Sequence, residues 1–175
     1  AQSSTQALID RAEIITKSPG KLAQAIEMGE ERAVLCGYCH GNDGNSKRTD
    51  IPNLANQNPE YILRQFAKFD DGERKNYVMS QLVSALSDDD RVNLALFYAS
   101  SQVAPRIPSN SDMVAKGMTV YKGLCFVCHG NRGMGQHDKP RLAGQPEDYV
   151  VLALTQFRSG DGTRNSAVME PISKS

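Results

Sequence analysis

The 175-residue sequence has no apolar stretch that approaches a membrane span, which excludes a transmembrane helix. It has no excess of either charge: 20 Lys and Arg balance 20 Asp and Glu, so nothing in the total points to nucleic acid or an anionic membrane. It shows no alternating strand pattern, which excludes the βαβ units of a thioredoxin-like fold. It has no cysteine to spare for a structural disulfide, because all four sit in two identical frames. It opens AQSSTQ, with neither an initiating Met nor an apolar h-region, as a mature chain does after a signal peptide is removed.

What is present is a duplication. CGYCHGNDG (36–44) answers CFVCHGNRG (125–133), IPNLANQNPEY (51–61) answers KPRLAGQPEDY (139–149), and RKNYVM (74–79) answers RNSAVM (164–169). The offset stays between 88 and 90. SSQVAPRIPSNSD (100–112), rich in Pro, Ser and Asn and without periodicity, reads as the connection. The expected division is an extension over 1–21, a first unit over 22–102, a linker over 103–111 and a second unit over 112–175. Charge is uneven along this division. Residues 1–104 carry 11 basic and 14 acidic side chains, a balance of −3, and residues 105–175 carry 9 and 6, a balance of +3. Such an asymmetry can orient a partner during encounter.

The periodicity is helical throughout, so the expected class is all-α. Residues 21–35 and 113–123 have helical spacing before each cysteine pair. Residues 58–72 open on Asn58 and Pro59 and put Ile62, Phe66 and Phe69 on one stripe; 145–160 repeat that design. Residues 87–101 begin with Ser87 as N-cap and three acids that suit the helix dipole. Long loops are expected at 41–57 and 130–144. In the extension, Leu8, Ala12 and Ile15 share a stripe, which predicts a helix packing on the repeated units.

A C-x-x-C-H frame can serve three chemistries. A thiol–disulfide centre needs the absent strands. A Cys₄ zinc site would draw on both copies of the repeat and gives no reason for a histidine after each second cysteine. Covalent haem attachment uses every residue. Two thiols bond the vinyl groups and the histidine ligates the iron, all from one helix face at i, i+3 and i+4. Cys36, Cys39 and His40 would hold one haem c, and Cys125, Cys128 and His129 a second. Each unit is small enough that a covalently held apolar plate would complete its core.

The other axial position of each iron narrows by elimination. Met28, Met113 and Met118 precede their cysteine pairs on the same helix, Met134 follows His129 too closely, and His137 reads as a solvated loop residue. Met79, 43 residues after Cys36, and Met169, 44 after Cys125, remain at matching places. Imidazole and thioether together would leave no open position on the metal, an arrangement for passing electrons rather than activating a substrate.

Two tandem units with C-x-x-C-H-G, P-x-L-A-x-Q, an acidic residue before Tyr, and R-N-x-x-V-M or R-K-N-Y-V-M resemble the di-haem cytochrome c4 family over residues 22–175. The resemblance implies two class I cytochrome c domains related by a pseudo-twofold axis. It implies a periplasmic electron carrier, soluble or loosely membrane-associated, serving a quinol-oxidising or other donor complex and a terminal oxidase, a reductase or a small copper protein. The alternatives are a fixed subunit of a larger oxidoreductase, or an enzyme such as a di-haem peroxidase or thiosulfate dehydrogenase; matched methionines argue against enzymatic activity. As in class I cytochromes, the carbonyls of Pro52 and Pro140 are expected to accept the imidazole N–H of His40 and His129. Arg74 and Arg164, with Tyr61, Tyr149, Gln57 and Gln145, are candidate partners of the haem propionates. One departure stands out: the second unit has no counterpart of the helix at 87–101, so it either closes differently or belongs to a longer chain.

Overall fold

The computed structural model describes residues 4–175; residues 1–3 of the expected extension lie outside the described residues. Among the described residues there are helices and two isolated bridges but no β-strand. The first repeat contains α2 (Pro19–Arg32), α3 (Val34–His40), α4 (Pro59–Asp70), α5 (Tyr77–Ser84) and α6 (Asp88–Ser100), preceded by α1 (Thr5–Thr16). The second contains α7 (Asp112–Val120), a π-helical turn (Tyr121–Cys125), α8 (Phe126–His129), α9 (Glu147–Ser159) and α10 (Met169–Lys174).

Local chemistry sets most boundaries. Ser87 and Asp90 form a reciprocal capping box that starts α6. Pro59 opens α4, but Asn58 does not cap it; its amide instead donates to the Lys139 carbonyl in the second repeat. The expected helix over 21–35 breaks at Ala33, and that over 113–123 passes into the π-turn. The π-turn absorbs an insertion: Gly29 precedes Cys36 by seven residues, whereas Gly117 precedes Cys125 by eight. The segments carrying Met79 and Met169 are short helices. Asn76 Oδ1 accepts from Met79 N at 3.0 Å and Ser166 Oγ from Met169 N at 3.1 Å.

The main apolar core belongs to the first repeat. Leu8, Ile9 and Ala12 of α1 pack with Ala25 of α2, Ile62 and Leu63 of α4, and Val92 and Leu94 to Tyr98 of α6. Thus α1 covers the first repeat, with Ile15 at the edge of the same cluster. Helices α2 and α6 cross almost backbone to backbone. A Cβ on Gly29 would lie 2.3 Å from the Asn93 carbonyl oxygen, so only glycine allows this approach. In the second repeat α7 buries no residue.

Candidate paired haem sites

Each candidate site is assembled by the loop that follows its histidine. Gly44 O accepts from Leu54 N at 2.8 Å and Ala55 N at 3.1 Å. Gly133 O accepts from Leu142 N at 2.7 Å and Ala143 N at 3.0 Å. These bonds bind the C-H-G-x-x-G turn to the P-x-L-A segment in both repeats. A Cβ on Gly44, whose φ is +80°, would sit 2.7 Å from Ala55 N, so this glycine is required by both conformation and space.

The same closure brings a proline carbonyl onto each imidazole. His40 Nδ1 lies 2.9 Å from Pro52 O, and His129 Nδ1 lies 2.9 Å from Pro140 O. A carbonyl only accepts, so Nδ1 carries the proton and Nε2 is left with its lone pair for a metal. Both imidazoles are buried, at 8% and 6% exposure. Burial holds the His40 imidazole below its ordinary range; the Pro52 carbonyl pulls the other way and the charge of Arg74 adds to the lowering. The neutral form a metal needs is therefore favoured.

The cysteines fit attachment better than redox or zinc chemistry. None is in a disulfide. Burial pushes the Cys36 and Cys125 thiols up, the opposite of a nucleophilic thiolate. Among the described residues no three His, Cys, Asp or Glu side chains could hold a metal, so the two pairs do not converge into one tetrahedron. The buried Tyr98 hydroxyl lies beside the Cys36 thiol. This donor set, with two thiols and one neutral imidazole on a helix face, fits a covalent haem in each repeat.

Met79 and Met169 are half-buried, near the start of α5 and α10. Met28, Met113, Met118 and Met134 are exposed. His137 is exposed in a turn, with Nδ1 3.4 Å from Glu60 Oε2.

Between the repeats lies a reciprocal clamp. Gln57 Oε1 accepts from Arg141 N at 2.7 Å and its amide donates to Arg141 O at 3.1 Å. Gln145 Oε1 accepts from Asn53 N at 2.9 Å and its amide donates to Asn53 O at 2.8 Å. Each glutamine completes the opposite repeat's P-x-L segment, the isologous pattern of a twofold. Both glutamines are thus engaged by backbone rather than free as propionate donors. The signal was present in P-x-L-A-x-Q, whose glutamine recurs at the same place in both halves, but its partner is unreadable from one chain. The axis runs near Arg74 and Arg164, which form an antiparallel bridge flanked by Lys75 N to Thr163 O at 2.7 Å and Asn165 N to Glu73 O at 3.1 Å.

Comparison with known proteins agrees with this geometry. The cytochrome c family matches residues 114–171. The chain is 34% identical to cytochrome c4 of Pseudomonas aeruginosa over 156 residues, covering 82% of this chain and 77% of that one. It is 29% identical to the thiosulfate dehydrogenase electron acceptor of Stutzerimonas stutzeri, covering 73% of this chain and 65% of that relative. The crystal structure of reduced recombinant cytochrome c4 from Pseudomonas stutzeri superposes with a TM-score of 0.77 at 27% identity, covering 85% of this chain and 88% of that one.

Proposed function

This chain belongs to the cytochrome c4 family and is a di-haem electron-transfer protein, and from that premise we propose how its residues divide the work. Cys36 and Cys39 anchor one haem and Cys125 and Cys128 the other. His40 with Met79, and His129 with Met169, would hold the two irons. Haem, when bound, supplies a one-electron couple at iron. The carrying observation is the matched pair of buried imidazoles, each donating Nδ1–H to a proline carbonyl at 2.9 Å. That bond fixes ring orientation and raises the donor strength of Nε2. A methionine thioether would be a weak donor to the metal it holds and would favour the reduced state. The residues would therefore hold still while charge moves.

The reading extends to organisation and setting. We assign the units to 22–102 and 112–175, with a linker at 103–111 and an extension at 1–21. The linker is tied down: Arg106 Nη2 donates to Ser46 O at 2.7 Å, and Ala104 N to Asn45 Oδ1 at 2.8 Å. The extension helix packs on the first unit. Among the described residues no helix is long and apolar enough to cross a membrane. A periplasmic carrier between a quinol-oxidising or other donor and a terminal oxidase, reductase or copper protein accords with the family. A thiosulfate-oxidising donor is the second reading, favoured by the relative named as an acceptor for that enzyme. Carriage rather than catalysis is the assignment for this chain.

The test is spectroscopic. Purified oxidised protein should carry two haems by haemochrome assay and a weak far-red band of methionine-to-ferric ligation at two-haem intensity. Met79→Ala and Met169→Ala should each remove half of that band, lower one potential and admit cyanide or carbon monoxide to one iron. A full band in either variant sinks that ligand assignment.

A further inference from the structure

Each proline carbonyl that faces a histidine belongs to a peptide group whose other end is occupied as well. Pro52 O, 2.9 Å from His40 Nδ1, shares its peptide with Asn53 N, and that N–H donates to Gln145 Oε1 of the second unit at 2.9 Å. Pro140 O, 2.9 Å from His129 Nδ1, shares its peptide with Arg141 N, which donates to Gln57 Oε1 of the first unit at 2.7 Å. Both peptides are trans, so the N–H and C=O of each point in opposite directions. An imidazole and a glutamine amide therefore sit at the two ends of one planar, conjugated group.

Neither glutamine can be turned round. Gln145 Nε2 donates to Asn53 O at 2.8 Å and Gln57 Nε2 to Arg141 O at 3.1 Å. A flipped amide would set donor against donor and acceptor against acceptor. Gln57 Oε1 also accepts from Asn58 N at 3.0 Å, and Gln57 is buried. The bonds do not depend on the residue they reach, because Asn53 and Arg141 differ in side chain and offer only backbone. Holding two units together needs no more than some bond across the seam. Asn58 Nδ2 to Lys139 O, at 2.6 Å, is one, and it ends on a carbonyl that neither imidazole contacts. The glutamines, in contrast, reach the histidine-bonded peptide of the opposite unit, and they do so twice.

Resting on the di-haem reading, we infer that each glutamine is a positioning residue for the haem of the opposite unit: Gln145 acts on His40, and Gln57 on His129. An acceptor on a peptide N–H shifts electron density onto the carbonyl oxygen of the same peptide, so hydrogen bonds in series strengthen one another. A stronger Nδ1–H···O bond makes Nε2 a better donor to a metal. Better donation stabilises the oxidised state, so each unit lowers the potential of the other's iron. Docking of the units and tuning of their potentials are then one event.

The test follows both midpoints and both imidazole Nδ1–H proton resonances in the holoprotein. Tracking each resonance of the reduced protein through a redox titration assigns each midpoint to its unit. Gln145→Leu should raise the midpoint of the first unit and move the His40 Nδ1–H resonance upfield, leaving His129 and its haem as they are. Gln57→Leu should do the converse. The expected change is about twofold to tenfold in the ferrous-to-ferric ratio at fixed potential, or about 18 to 59 mV for a one-electron couple. Asn58→Ala loosens the same seam and should move neither midpoint. Should leucine not be accommodated, methionine at the same positions fills the space without a strong acceptor and carries the same expectations. A glutamine variant that moves its own unit's midpoint, moves both equally or moves neither overturns the inference, as does an Asn58→Ala shift of similar size. Haem content and the far-red band of the wild type report separately: if they fail, the ligand assignment falls, and if they hold while the crosswise shifts are absent, only the role of the glutamines falls.

Discussion

Gly29 and Gly117 stand at matching places in the two units, yet their surroundings differ completely. A Cβ on Gly29 would press on the Asn93 backbone, while one on Gly117 meets nothing within 4 Å. The first unit has α6 across α2; in the second, α7 is bare and exposes Met113, Val114, Met118 and Val120. The setting of the two histidines is nevertheless the same, with both histidine-to-proline bonds at 2.9 Å. The site is therefore built by the C-H-G-x-x-G turn and the P-x-L-A segment, and the helix crossing serves stability. A tyrosine backs each turn, but from different elements: Tyr98 of α6 packs on Gly44, whereas Tyr121, turned by the π-helical residue, donates to Gly130 O and approaches Gly133.

The comparison can be broken most forcefully at the crossing. Gly29→Leu should cost the first unit more than about 3 kcal/mol, because the obstacle is backbone that cannot repack. Circular dichroism melting should show an early transition, while the haem spectrum of the second unit persists. A loss of both units together would mean that they unfold as one. The glutamine clamp comes next. Gln57 is only 4% exposed and Gln145 is half-buried. Gln57→Leu should therefore cost about 2 kcal/mol by stranding the Arg141 backbone groups, and Gln145→Leu about 1 kcal/mol. Denaturant melts measure both, and faster proteolysis of the 103–111 linker should accompany them. Equal effects would show that the clamp is symmetric in energy as well as in pattern. The smallest change is expected at Gly117→Ala, which should stabilise by up to about 1 kcal/mol through helix propensity alone. Any destabilisation would reveal an element seated on α7 in solution.

Much of this was readable before any coordinate. The repeat exposed both cysteine pairs, both histidines and the two prolines, because covalent chemistry and a fixed turn leave little freedom of residue type. The helices at 58–72, 87–101 and 145–160 followed from caps and stripes. The short helices carrying Met79 and Met169 were missed, since Asn76 and Ser166 are weak signals in sequences of few residues. The break at Ala33 and the π-turn at Tyr121–Cys125 were also invisible, because a one-residue insertion in a helix changes no composition.

By itself the sequence determined the class of helix-rich, twice-repeated electron carrier and the residues that can bond a haem, because those depend on spacing within one short segment. Only the tertiary structure decided that Gln57 and Gln145 each complete the other unit and that Arg74 and Arg164 converge on Tyr149. Those outcomes arise from contacts between residues many positions apart, and a donor or a cation declares its partner only when folding brings the two within about 3 Å.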